Sequence, residues 1–177
     1  MKIYLVRHAE KESEGENPNL TKKGVKQAKL LAKRLKELKL DEFYCSDLNR
    51  AKQTAEIISK WIKLKPKIKS SLNEFESSDI KKDKSKWNKE ERKRLAKSIS
   101  LIKKITKKPE QESNVLIVAH GITNRIIISF LLKISMKKTI VFRQNESCIN
   151  FLNWSEKFKN WQLEKMNDNS HLPRKLN

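Results

Sequence analysis

Residues 114–119 (NVLIVA) form an unbroken apolar run of strand length, and such a run is at home only in a strand covered on both faces. A parallel sheet with helices above and below supplies that cover. Other segments fit the same plan. Residues 2–7 (KIYLVR) read as a strand that empties into the polar stretch KESEGENPN. Thr21 suits a helix N-cap, and Val25, Ala28, Leu31, Ala32, Leu35 and Leu38 follow at helical spacing with lysines opposite them. Residues 42–45 (EFYC) predict a second strand, after which Ser46 or Asp47 caps a helix to about Trp61 with Ala51, Thr54, Ala55 and Ile58 inward. Pro66 and Ile68 mark a third strand, residues 73–86 a polar loop, and Trp87 to Thr106 a lysine-rich amphipathic helix ended by Pro109. A helix from Ile122 to Leu132 follows the NVLIVA strand, and residues 147–153 and 159–166 predict a final pair of strands. The expected fold class is α/β: a three-layer α/β/α sandwich with a mostly parallel central sheet and one antiparallel strand near the C-terminus. At 177 residues the chain is expected to form a single domain, 1–177.

Charge raises the question of partners. The formal net charge is +20, which would attract a phosphate backbone if the cations were clustered. Lysines instead spread over every predicted helix, without regular aromatic interleaving, so a solvated surface that steers anionic substrates is the simpler reading. Trp61, Trp87, Trp154 and Trp161 are read as packing residues rather than base-stacking platforms. Met1 leads directly into KIYLVRH with no apolar signal region, and the apolar run near Ile126 to Leu132 is too short to span a bilayer. A cytoplasmic protein without a membrane partner is expected. Cys45 and Cys148 sit in strand-like apolar surroundings, where free buried thiols are ordinary.

In an open parallel sheet, ligands bind beyond the carboxyl ends of the strands. The first strand delivers Arg7 and His8 there, the second delivers the turn from Ser46 to Arg50, and the NVLIVA strand delivers His120 and Gly121. Two arginines, two histidines and two helix N-termini make an anion the natural occupant, since guanidinium forks and backbone N–H groups both match phosphoryl oxygens. A neutral imidazole that gives one proton to a fixed acceptor can attack phosphorus with its other nitrogen, a role that suits His8.

Residues 3–10 (IYLVRHAE), 20–28 (LTKKGVKQA), 46–55 (SDLNRAKQTA) and 115–121 (VLIVAHG) together resemble the successive motifs of the histidine phosphatases, the phosphoglycerate-mutase-like superfamily. The resemblance runs from Lys2 to about His171, because the ending MNDNSHL is also similar to the tails of many members. It implies an α/β/α fold and a metal-independent phosphatase that works through a phosphohistidine on His8 and needs no cofactor. It also implies that Arg7, Arg50 and His120 clamp the phosphoryl group of a small phosphorylated metabolite. Gly121 belongs to the same phosphate-binding set. The general acid that the resemblance implies is Glu74, since LNE at 72–74 matches the family's leucine, any residue, glutamate arrangement; Glu76 and Asp79 are the fallbacks. Two departures stand out. AEKESEGEN follows His8 where mutases have glycine, glutamate, threonine and a nearby asparagine, leaving Asn17 as a substitute phosphate contact. The segment after Glu74 is a short lysine-rich lid, which favours hydrolysis over mutase action.

Competing chemistries fare less well. CSDLNR at 45–50 is one residue short of a Cys-x5-Arg loop, so Cys45 is not read as a nucleophile. A metal hydrolase would need three or more ligands, and His8, His120 and His171 lack close sequence pairing with carboxylates. Three alternatives stay open: a protein-phosphohistidine phosphatase, a phosphoglycerate mutase, and a polyanion-binding protein with a vestigial site. A packing or capping role for His171 also stays open beside a catalytic one.

Overall fold

The computed structural model describes residues 1–76 and 86–176. In chain order the regular elements are β1 (Lys2–Arg7), α1 (Lys22–Leu35), β2 (Glu42–Cys45), α2 (Asn49–Ile62), β3 (Lys67–Ile68), α3 (Lys89–Ile105), β4 (Asn114–Ala119), α4 (Gly121–Leu131), β5 (Ile149–Ser155) and β6 (Asn160–Asp168). Short 3-10 turns cover Ser70–Leu72, Met136–Val141 and Arg174–Leu176. The sheet order is β3-β2-β4-β1-β5-β6. β1 to β4 run parallel, β5 runs against β1, and β6 runs against β5. The mostly parallel sheet with one reversed strand is therefore the expected one.

β4 explains the layering. Val115, Ile117 and Ala119 pack with Ile102 and Ile105 of α3 and Ile127, Ile128 and Leu131 of α4. Leu116 and Val118 turn to the other face, against Leu31, Ala32 and Leu35 of α1 and Ala51, Ala55 and Ile58 of α2. Because side chains alternate across a strand, an all-apolar strand needs apolar helices on both sides. Each fully buried aliphatic side chain contributes roughly 1.5–3 kcal/mol of transfer free energy.

Local chemistry corrects several expected boundaries. Thr21 does cap α1, its Oγ1 accepting from the Gly24 N–H at 2.9 Å, but the helix ends at Leu35 rather than Leu38. Neither Ser46 nor Asp47 is the N-cap of α2; that position is Leu48, whose own side chain makes no capping bond, although its N–H donates to Ser46 Oγ at 3.2 Å. α3 starts after Asn88 rather than at Trp87, where Asn88 and Glu91 form a reciprocal capping box. Trp87 and Trp161 are buried as packing residues, whereas Trp61 is 42% exposed and belongs to no core. Both cysteines are free and buried. Asp79 and the middle of the expected lid lie outside the described residues.

One glycine is set by contact. A Cβ on Gly24 would stand 2.0 Å from the Glu10 carbonyl oxygen, which itself accepts from the Thr21 N–H at 3.1 Å. The first turn of α1 thus lies directly on the loop that follows β1. Gly24→Ala must push that backbone away, and the expected loss of about 1–3 kcal/mol exceeds the gain in helix propensity. A urea titration should show a lower midpoint for this variant with an unchanged slope.

Candidate functional site

Strand register brings the predicted residues together. Arg7 pairs with Ala119, so His8 and His120 leave adjacent strands side by side, with ring centroids 5.1 Å apart. Cys45 pairs with Val118, which sets Ser46 at the same edge. Val6 pairs with Ile149 of the antiparallel β5, so the segment just before β5 reaches that edge too. Backbone bonds extend the sheet beyond the strands: the His8 N–H donates to the Ala119 carbonyl at 3.0 Å and the Ser147 N–H to the His8 carbonyl at 3.1 Å.

His8 is oriented by its neighbour. Its Nδ1 lies 2.7 Å from the Ala9 carbonyl oxygen; a carbonyl only accepts, so Nδ1 carries the proton and Nε2 keeps the lone pair. Arg50 Nε donates towards Nε2 at 3.3 Å. Burial lowers the His8 pKa to about 3, aided by the charges of Arg7, Arg50 and Lys11 and opposed by the Ala9 bond. Thr54 ties the loop to α2, accepting from the Ala9 N–H at 3.1 Å and donating to the Arg50 carbonyl at 2.7 Å. The Leu20 N–H donates to Gln53 Oε1 at 2.7 Å, so the motif RAKQT both carries Arg50 and anchors the loop after His8.

His120 is fixed by Ser46. The Ser46 hydroxyl donates to Asn73 Oδ1 at 2.8 Å, leaving its oxygen to accept from His120 Nε2–H at 2.8 Å. His120 Nδ1 is therefore the nitrogen turned toward the pocket, where it lies 3.4 Å from Glu74 Oε2 and has no hydrogen-bond partner among the described residues. Burial first, then His8, Arg50 and Arg7, hold the His120 pKa well below its ordinary value. Asn73 also accepts from Thr123 Oγ1 through its carbonyl at 2.9 Å, and with the buried Leu72 and Phe75 on either side it locks Glu74 in place.

Glu74 faces the centre. Its Oε1 accepts from the Ile122 N–H at 3.2 Å, and its Oε2 lies 3.8 Å from the Arg50 guanidinium. Burial raises its pKa, against the Ile122 bond and the charges of Arg50, Arg7 and Arg125. One N–H of the α4 N-terminus, expected to be free for an anion, is thus taken by this carboxylate. Arg7 donates to the Gln144 carbonyl at 2.5 Å and approaches Glu146 at 3.8 Å. Its side chain passes over Gly121, with Nε 3.6 Å from where a Cβ would stand, an ordinary contact distance.

The remaining candidates lie further out. Asn17 is exposed, and its Oδ1 accepts from the Asn49 N–H at 2.8 Å, so this oxygen caps α2 beside Arg50. Glu76 is exposed. His171 is half-buried, neither ring nitrogen has a hydrogen-bond partner among the described residues, and burial lowers its pKa to about 4. The thiol of Cys45 is pushed up to about 12 by burial, which suits packing rather than attack. The sequence reading missed Ser46 as a histidine partner, together with Asn73, Gln144, Glu146 and Arg125. The polar run RQNES before an antiparallel strand was the signal for Gln144 and Glu146, legible only once the direction of β5 is known.

The expectation that no histidine pairs closely with a carboxylate is corrected. His8, Glu74 and His120 offer donor atoms all within 4.8 Å of one another, a set able to hold a metal ion. The surroundings favour an anion, because the charges of Arg7 and Arg50 act on both histidines.

Comparison with known proteins agrees. The family model "Histidine phosphatase superfamily (branch 1)" matches residues 3–98 and 92–169. "Probable phosphatase C1687.21" of Schizosaccharomyces pombe is 35% identical over a stretch covering 38% of this chain and 34% of that protein. "Probable phosphoglycerate mutase GpmB" of Shigella boydii serotype 18 is 26% identical, covering 97% of this chain and 95% of that one. The phosphoserine phosphatase of Entamoeba histolytica, solved with phosphoserine, has the same fold: TM-score 0.74 at 20% identity, covering 97% of this chain and 99% of that chain. No helix among the described residues is long and apolar enough to cross a membrane. With its motifs on the expected strand ends and the family model covering most of its length, this chain belongs to the histidine phosphatase superfamily, branch 1.

Proposed function

We propose that this chain is a cytoplasmic, metal-independent phosphatase that hydrolyses small phosphate monoesters through a phosphohistidine on His8. The observation that carries this reading is the fixed tautomer of His8: Nδ1–H is committed to the Ala9 carbonyl, and Nε2 opens into a pocket bounded by Arg50, His120 and Glu74. In the first step Nε2 attacks phosphorus, the bond from phosphorus to the ester oxygen breaks, and Glu74 supplies the proton to the departing alkoxide. In the second, water gives its proton to the Glu74 carboxylate and attacks phosphorus, releasing orthophosphate and free His8. Arg7, Arg50, His120 and the backbone at Gly121 hold the phosphoryl oxygens, and Asn17, bound to Asn49 beside Arg50, forms the outermost contact. A dianion offsets the nearby positive charge, so its arrival favours a second proton on His120. The superfamily membership supports this activity class. The phosphoserine bound by the Entamoeba histolytica neighbour supports a small phosphorylated metabolite as substrate.

His8→Ala should abolish turnover of p-nitrophenyl phosphate and of alkyl phosphates alike, and native turnover should persist in EDTA. Glu74→Gln should cost roughly 10²–10⁴ in kcat on alkyl phosphates and far less on p-nitrophenyl phosphate, whose leaving group departs as a stable anion. Little loss on a phosphohistidine peptide with no native alkyl-phosphate turnover would move the assignment to a protein-phosphohistidine phosphatase. Turnover that survives His8→Ala would remove His8 as the nucleophile.

The pH profile follows from the directions of the shifts. Glu74 has a raised pKa and acts protonated, so kcat/KM on alkyl phosphates should fall as pH rises through that value. His8 stays neutral down to about 3, so its titration sets no limit in the mildly acid range. A kcat/KM titration of native protein and Glu74→Gln should show the descending limb in the first and not in the second.

A further inference from the structure

His120 carries a buried lone pair that the hydrogen bonds of the fold leave unused. The ring is fully buried, its Nε2–H is spent on Ser46, and Nδ1 has no hydrogen-bond partner among the described residues. Facing it at 3.4 Å is Oε2 of Glu74, another lone-pair atom. His8 completes the set, its ligand atom and the other two lying within 4.8 Å of one another. Among the described residues no other three histidine, cysteine or carboxylate side chains form such a group.

The contacts behind these three atoms are those of a metal site. A ligating histidine ordinarily donates its other ring N–H to a carbonyl, a carboxylate or a similar acceptor, which fixes the tautomer. His8 does so to the Ala9 carbonyl, and His120 to the Ser46 hydroxyl, itself held by Asn73. Glu74 keeps Oε2 turned inward because Oε1 is tied to the Ile122 N–H. With bonds of about 2.0–2.2 Å, ligand atoms at the corners of a tetrahedron stand about 3.3–3.6 Å apart. The separation of Glu74 from His120 already matches that edge, and closing the rest of the set takes a shift of roughly 1 Å. Arg50 Nε, which points at His8 Nε2 from 3.3 Å, turns away as the metal enters.

We propose that this pocket binds one transition-metal ion, Zn²⁺ above all, through His8 Nε2, His120 Nδ1 and Glu74 Oε2, and that the metal inhibits the enzyme by occupying the lone pair of the nucleophile. The binding stands on the geometry alone, whereas the inhibition rests on the phosphatase reading above. Two imidazoles and a carboxylate select Zn²⁺ over Mg²⁺ and Ca²⁺, which take oxygen ligands. Arg7 and Arg50 oppose a further cation nearby, which weakens the site relative to a dedicated zinc centre and leaves the metal open to chelation. Substrate and metal exclude each other, since both need Nε2 of His8.

The test titrates ZnCl₂ calorimetrically into phosphate-free native protein that has been stripped with EDTA and dialysed. One site is expected. His8→Ala should weaken it by at least about tenfold and Ser46→Ala by about tenfold to a hundredfold, the usual cost of losing an outer partner, while His171→Ala leaves it unchanged. Co²⁺ on native protein should show the visible absorption of a four-coordinate ion, a readout that needs no variant. On p-nitrophenyl phosphate, Zn²⁺ should raise KM without lowering kcat, EDTA should reverse the effect, and Mg²⁺ at the same concentration should have none. No binding to native protein, binding that survives both His8→Ala and Ser46→Ala, loss of binding with His171→Ala, or equal inhibition by Mg²⁺ would overturn the proposal. One such site on a protein that hydrolyses no phosphate ester would leave the metal site standing and strike the phosphatase reading instead.

Discussion

At the carboxyl edge of the sheet, two imidazoles must remain neutral while two guanidiniums stay charged beside them. Protonating both rings would gather four positive charges among buried atoms, an arrangement that desolvation alone opposes strongly. The fold meets this constraint with single acceptors. The Ala9 carbonyl takes one proton from His8 and the Ser46 hydroxyl takes one from His120, so each ring has one committed nitrogen and one facing inward. Glu74 and Glu146 stand against Arg50 and Arg7 and lessen the remaining repulsion. The pocket is thus held together by neutral donors and acceptors and by the carboxylates of Glu146 and Glu74.

The register of the parallel strands makes that arrangement possible. β1 and β4 pair without a slip from Lys2 with Asn114 to Arg7 with Ala119, so the residues after their ends meet without any loop having to find the geometry. β2 adds Ser46 by the same route. This part of the site was legible in the sequence because an apolar strand followed at once by a polar residue declares where the sheet edge lies. The helical core was legible for a related reason, since Leu31, Ala32 and Leu35, or Ala51, Ala55 and Ile58, keep helical spacing and do face the sheet, while Ala28 packs on the loop after β1.

What escaped the sequence reading depended on competition between partners. Ser46 stands where a helix N-cap is expected, yet its hydroxyl serves His120 and Asn73; local pattern cannot decide between a cap and a partner supplied from 74 residues away. The close approach of Glu74 to His120 likewise needs the Ser70–Leu72 turn and the N-terminus of α4 to converge. Gln144 and Glu146 reach Arg7 only because β5 is the reversed strand, and the expectation of one antiparallel strand near the C-terminus did not say which of the last two it would be. Trp61 failed for a different reason: in the last turn of α2 it is Ile62 that packs against the core, and Trp61 stays exposed.

These differences divide the site into two kinds of construction. The side that would hold the transferred phosphoryl group is built on strand ends, and its residues are tied by backbone bonds such as those of His8 to Ala119 and of Ser147 to His8. Moving one of them means moving the sheet. Beyond the strand ends, Arg125 of α4 donates to the Phe142 carbonyl just after the Met136–Val141 turn, so this part is built from a helix and a turn. Substitution there leaves the sheet undisturbed. A shared catalytic centre with differing substrates is the expected outcome of such a layout, since the strand register constrains the chemistry and the helix and turn are free to vary.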